Sequence, residues 1–314
     1  MSLAPSVSGR GRALMRTLKR CLFITFASLL LSGCNFILFN PKGQVGIEER
    51  NLIILATALM LIVVVPVIVM MFWFAYRYRA SNENADYAPD WASSHKIEAV
   101  VWGVPLVIII ILGVVTWETT HRLDPYRSLD SDVPPLNVQV VATDWKWVFI
   151  YPDLGIATVN ELALPVHTPV SFTVTSDAAM TSFFIPALGG QIYAMAGMQT
   201  KLHLIANETG KFPGIAANYN GPGFSDMHFN TLSTTPAEFE AWVNTVKSAP
   251  QTLDTKTYNE LAKPTLGHQV TYYASVHHGL FQAIVDKYEG MNKARRTTAS
   301  ETGNPAQNRM AEER

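Results

Sequence analysis

Residues 51–79 read NLIILATALMLIVVVPVIVMMFWFAYRYR. Nothing from Leu52 to Phe74 is charged, and such a run exceeds the ~20 residues an α-helix needs to cross the hydrocarbon core of a bilayer. A spanning helix over residues 51–76 follows. Pro66 in its middle predicts a kink, which neighbouring groups in a membrane tolerate. Trp73, Tyr76 and Tyr78 make an interfacial aromatic belt at its end, with Arg77 and Arg79 just outside.

Downstream, a polar loop over residues 77–96 leads into KIEAVVWGVPLVIIIILGVVTWETTHR, residues 96–122. Its apolar part predicts a second span over residues 97–118, with one acid, Glu98, near the start. Upstream, Arg10, Arg12, Arg16, Lys19 and Arg20 precede CLFITFASLLLSGC, residues 21–34. A basic segment, a short apolar core and small residues at the end fit a secretory signal peptide over residues 1–33 better than a span. The ending LSGC, Leu31 to Cys34, resembles the bacterial lipobox, in which the cysteine is diacylated and becomes the mature N-terminus. An ordinary small-residue cleavage site and an uncleaved anchor are the alternatives.

The leader holds its basic end in the cytoplasm, so residues 34–50 emerge in the periplasm, residues 77–96 are cytoplasmic and everything after residue 118 is again external. This parity argument predicts a multi-pass lipoprotein of the bacterial inner membrane. The positive-inside rule agrees only weakly, because Lys42, Arg50, Arg122 and Arg127 flank the other ends. The two cysteines of the chain are Cys21 and Cys34. No disulfide framework or thiolate metal site exists beyond them. A net charge of -1 over 314 residues gives no electrostatic footprint for nucleic acid.

From Leu136 the pattern changes. LNVQVVA, WKWVFIY, PVSFTVTS and TKLHLIA alternate or are rich in β-branched and aromatic residues, with glycine and proline breaks between them, so residues 119–234 read as one small β sandwich or barrel. Residues 235–290 return to helix: Thr235 caps, Pro236 fits the first turn, and Phe239, Trp242, Val243 and Val246 share a face. A short strand in QVTYYASV and a helix in GLFQAIVDKYEG follow. Residues 291–314 are polar and aperiodic and read as a disordered tail.

A lipobox, a two-helix hairpin and an external β domain opening on DWKWVFIYP together resemble subunit II of the haem-copper terminal oxidases. GIATVNELALP, TSFFIPALGGQIYAMAGMQTKLHLIANE and YNGPGFSDMHF are similar to the bo-type ubiquinol oxidase branch, up to about residue 290. The resemblance implies a two-helix transmembrane hairpin, an all-β cupredoxin-like periplasmic domain and a short α-helical C-terminal extension. In copper-bearing members a His and a Cys-x3-Cys-x3-His-x2-Met loop hold a binuclear centre. Here the first His position falls on Thr181, the cysteines on Ala216 and Asn220, the second His on Phe224, and only the methionine, Met227, remains. A binuclear or blue-copper electron-transfer site needs a thiolate, and residues 35–314 contain no cysteine. His228 follows Met227 directly and, along a strand, faces the other way.

The resemblance therefore implies a non-redox-active subunit of a proton-pumping quinol oxidase that reduces dioxygen to water. No cofactor is expected on this chain; haems and copper belong to the large subunit I, its partner together with other oxidase subunits, membrane lipid and, through the complex, quinol. Glu98 matches the family glutamate at the entrance of a proton channel into the large subunit, and a carboxylate at that depth is a functional candidate; an acid favoured by the helix dipole is the plainer reading. Interfacial placement accounts for Glu118. Trp145 and Trp147 read as packing or docking residues on one strand face, Met195 and Met198 as gap-fillers, and the His277-His278 pair as isolated. No nucleotide, hydrolase or zinc-protease motif is present. A copper-bearing cytochrome c oxidase subunit and a free-standing lipoprotein scaffold are the rival readings. Mass spectrometry of the mature chain is expected to find a diacylglyceryl-modified Cys34 at the N-terminus; an intact leader contradicts the lipobox reading.

Overall fold

The computed structural model describes residues 36–85, 90–288 and 290. The expected signal peptide, Cys34 and the tail lie outside the described residues. Residues 36–40 belong to a unit separate from the rest of the chain and contain a 3-10 turn at Ile37–Phe39.

In the larger unit, α1 (Gln44–Arg77) and α2 (His95–Arg122) are long and apolar enough to cross a membrane. Helix α1 runs through Pro66 and begins seven residues before the expected span. Apolar residues surround both helices, the pattern of a helix solvated by lipid; Trp102 and Trp117 are 78% and 73% exposed in the isolated chain. The extra turns of α1 dock on the β domain. Gly46 N–H donates to Leu188 O (3.0 Å) and Lys42 N–H to Ala187 O (2.6 Å). This approach needs bare glycine: a Cβ on Gly189, at φ +86°, would lie 2.5 Å from Gly46 N. Arg122 at the end of α2 pairs with Glu48 in α1 (3.1 Å).

The β domain is two packed sheets. Strands β1 (Leu136–Thr143), β2 (Lys146–Tyr151), β3 (Ile156–Val159), β4 (Glu161–Pro165), β5 (Pro169–Ser176), β6 (Thr181–Phe184), β7 (Gln191–Ala194), β8 (Thr200–Ile205), β9 (Gly210–Ala216) and β10 (His228–Thr234) are joined by pieces of the C-terminal segment. That segment contains α3 (Pro236–Lys247), β11 (Thr252–Leu253), α4 (Thr255–Leu261), β12 (Thr271–Tyr273), β13 (Ser275–Val276) and a helix α5 over residues 280–288. One sheet has the order β12-β3-β2-β1-β5-β8, the other β4-β10-β9-β6-β7. Parallel pairing of β1 with β5 and of β4 with β10 ties distant segments together within each sheet.

Strand β2 is buried along its whole length. Alternate residues face opposite sides of a strand. Trp147, Phe149 and Tyr151 enter the core between the sheets, where the Phe183 and Phe229 rings stack at 5.3 Å and Trp147 meets Phe183 edge-on at 5.4 Å. Val148 and Ile150 face a second core with Tyr258, Leu261, Phe281 and Ile284. The C-terminal segment, with its short helices and strands, thus covers the outer sheet face. Its strand β12 extends the sheet beside β3, and β11 pairs with β13.

Polar latches fix this cover. Lys146, fully buried, donates from Nζ to Leu261 O (2.8 Å) and Lys263 O (2.7 Å), at the C-terminal end of α4 where a cation is favoured. Burial pushes its pKa down, opposed by Asp144. Glu161 accepts from Trp242 Nε1 (3.0 Å) in α3 and from the Tyr272 hydroxyl in β12; burial, then that bond, pushes the Tyr272 pKa up to about 12. Asp177, whose side chain is 2% exposed, accepts from Tyr258 (2.9 Å) and Lys287 (2.7 Å). Helix α3 starts as expected, with a Thr235–Glu238 capping box and Pro236 in its first turn.

Candidate functional site

The five positions singled out in the loop and strand ends converge at one end of the second sheet. Ala216 closes β9 opposite Phe183 of β6, and its N–H donates to Met227 O (3.1 Å). Thr181 opens β6, fully buried, and its Oγ1 donates to Asn218 O (3.3 Å). Between them the chain turns through Gly221 and Gly223 into a 3-10 turn at Phe224–Asp226, and Met227 N–H closes on Phe224 O (3.2 Å). Met227 is 1% exposed. Its thioether accepts from Asn220 Nδ2 at 3.0 Å.

The donor set here is one thioether, one amide and one hydroxyl. Soft metal ions take thiolate and thioether, and copper also imidazole; of these the five positions supply the Met227 thioether alone. His228 begins β10 on the exposed side, away from Met227. Among the described residues, no three His, Cys, Asp or Glu side chains converge on a point that could hold a metal ion. The ring beside Phe224 is Tyr219, at 5.7 Å and 72% exposed.

Trp145 and Trp147 do not share a strand face. Trp145 sits in the turn before β2 with φ +63°, so its side chain leaves the strand alternation, while Trp147 is in the core. The Trp145 ring lies flat against the loop instead: a Cβ on Gly223 would be 2.3 Å from its Cγ, and one on Gly221 3.3 Å from its Cζ2. Trp145 Nε1 and Asn220 Oδ1 are buried without a hydrogen-bond partner, so the wall of this loop keeps unsatisfied polar atoms. Met198 is 51% exposed and fills no gap, in contrast to its expected packing role. His277 and His278 are exposed.

Glu98 lies elsewhere. It occupies the first turn of α2, half exposed, with Oε2 3.4 Å from His95 Nδ1. Arg122, where α2 reaches the β domain, is 24 residues on, which at 1.5 Å per residue is about 36 Å away. Glu98 therefore belongs to the far end of the hairpin and has no part in the loop site. Glu118 is exposed near the other end.

Comparison with known proteins agrees with this arrangement. Residues 154–232 match the family model of the cytochrome c oxidase subunit II periplasmic domain, and residues 247–292 the COX aromatic rich motif. The chain is 61% identical over 267 residues to cytochrome bo(3) ubiquinol oxidase subunit 2 of Pseudomonas putida, covering 85% of each chain. It is 53% identical over 264 residues to ubiquinol oxidase subunit 2 of Acetobacter aceti, covering 83% of this chain and 86% of that one. Quinol oxidase subunit 2 of Bacillus cereus is 33% identical over 253 residues, with 80% and 86% covered. The sandwich is the cupredoxin-like domain those family models describe.

The contact of Trp145 with the loop is testable. Gly223→Ala is expected to cost about 1–3 kcal/mol by overpacking and to change Trp145 fluorescence, read by chemical denaturation and emission spectra. An unchanged midpoint and spectrum would show that the ring does not hold the loop.

Proposed function

The chain belongs to the ubiquinol oxidase subunit 2 family, and from that premise we propose that its external domain is a redox-silent cap on a proton-pumping oxidase. In this reading the complex oxidises quinol and reduces dioxygen to water, while haems and copper sit in the large subunit I against which the hairpin packs. The observation that carries the proposal is the donor set around Met227. Its thioether is already engaged by Asn220, and the other positions present Thr181, Ala216 and Phe224. Electron transfer through copper needs a thiolate there. A quinol dissolved in the membrane delivers electrons within the bilayer, so the external domain is left with shape and stability as its contribution.

The remaining roles follow from the hairpin. Glu98 is proposed to stand at the cytoplasmic entrance of a proton path into the large subunit, where an exposed carboxylate beside His95 takes up protons from water. Cys34 is proposed to carry the lipid that holds the N-terminus at the outer face of the inner membrane.

Two measurements on the purified complex test these roles. Electron paramagnetic resonance is expected to lack a mixed-valence dicopper signal; its presence overturns the redox-silent reading. Glu98→Gln is expected to slow turnover and proton uptake several-fold without loss of assembly, and Glu98→Asp to restore part of both. Wild-type uptake in Glu98→Gln removes the residue from the proton path.

A further inference from the structure

We propose that the cavity where α1 and α2 meet the β sandwich binds the headgroup of a zwitterionic phospholipid that carries a primary amine. The cavity measures about 140 Å³, and Glu49, Arg122, Asp124, Arg127 and His203 stand in its wall. Its level is set by the helices. Glu49 precedes the apolar run that begins at Leu52, and Arg122 ends α2 five residues after Trp117. Aromatic residues mark the boundary of the hydrocarbon, so the cavity lies among the outer headgroups. Below it run exposed apolar side chains, Ile54 on α1 and Val114 on α2 among them, along which acyl chains extend.

The formal charges in the wall balance in number, two of each sign, but are not paired with one another. Arg122 uses Nε on Glu48 (3.1 Å) and is 52% exposed, which leaves its other guanidinium nitrogens available. Arg127 is 3.8 Å from Asp130, itself 98% exposed; a contact of that kind contributes little. Glu49 accepts one N–H, from Gly190 (3.2 Å), and Asp124 one, from Tyr126 (2.9 Å). Among the described residues neither carboxylate has a cationic partner. His203 is held in place, with Nδ1 donating to Pro125 O (3.0 Å) and Nε2 3.3 Å from Ser171 Oγ.

Two guanidiniums and two carboxylates around one small space select the ligand by charge. A purely anionic headgroup is repelled by Glu49 and Asp124, and a simple cation by Arg122 and Arg127. A phosphate joined to a primary ammonium satisfies both sets. The guanidinium fork matches phosphate oxygens, and an ammonium offers three N–H donors to the carboxylates. A trimethylated amine offers none.

Native mass spectrometry of the detergent-extracted complex, stripped and then re-equilibrated with phosphatidylethanolamine, phosphatidylcholine or phosphatidylglycerol, tests this. One phosphatidylethanolamine per copy of this chain is expected to survive detergent exchange, with the other two lipids retained about ten-fold less, the effect of about 1.4 kcal/mol. Arg127→Ala and, separately, Asp124→Asn are each expected to lower retention about ten-fold by loss of one charge-assisted contact. In Asp124→Asn the amide oxygen can still accept from Tyr126 N–H, so that variant keeps the local turn, and circular dichroism checks both for folding. Equal retention of the three lipids, no retained lipid, or wild-type retention in both folded variants overturns the proposal.

Discussion

Burial of β2 on both faces is the constraint from which the rest of the external domain follows. A strand in a two-layer sandwich ordinarily shows one face to the core and one to water. Here Trp147, Phe149 and Tyr151 fill one core while Val148 and Ile150 need another. Side chains of this size are stabilised by about 2 kcal/mol each when fully withdrawn from water, so the outer face of the sheet has to be covered. The C-terminal segment supplies the cover. Because its backbone ends near apolar surface, its polar groups need internal partners, and Lys146, Glu161 and Asp177 meet them from the sandwich side.

A second constraint joins the membrane hairpin to the sandwich. Helix α1 continues past the hydrocarbon and presses its first turn against the 185–190 loop, backbone to backbone, through Gly46 and Gly189. Ion pairing of Glu48 with Arg122 ties the two helices at the same level. The attachment is short, and the cavity, with the Glu49 and Asp124 carboxylates in its wall, is what remains between helix ends and sheet where backbone contact stops.

The loop from Asn218 to Met227 holds its path with an amide and a thioether in contact rather than a thiolate. The turn, the 3-10 segment and the buried methionine are present, and Asn220 donates to the sulfur. Trp145, bent out of β2 by its positive φ, supplies a flat wall that bare glycines allow close. Packing against Trp145 and the backbone hydrogen bonds of Ala216 and Met227 hold the loop geometry.

The sequence alone determined the two spans, the change to β structure near Leu136, the Thr235 cap and the residue types at Thr181, Ala216, Asn220, Phe224 and Met227, because each is a local property: an uncharged run, a period, a capping pair, an identity at a position. Tertiary structure alone decided that Trp145 leaves the strand, that Met198 is exposed, that residues after 234 build onto the sheet, and that Glu49 and Asp124 share a cavity with Arg122 and Arg127. Those facts depend on pairs separated by tens to more than a hundred residues, such as Lys146 with Leu261. Such pairing is set by which surfaces must be hidden from water, and hydrophobic periodicity shows that a face needs a partner without showing which segment supplies it.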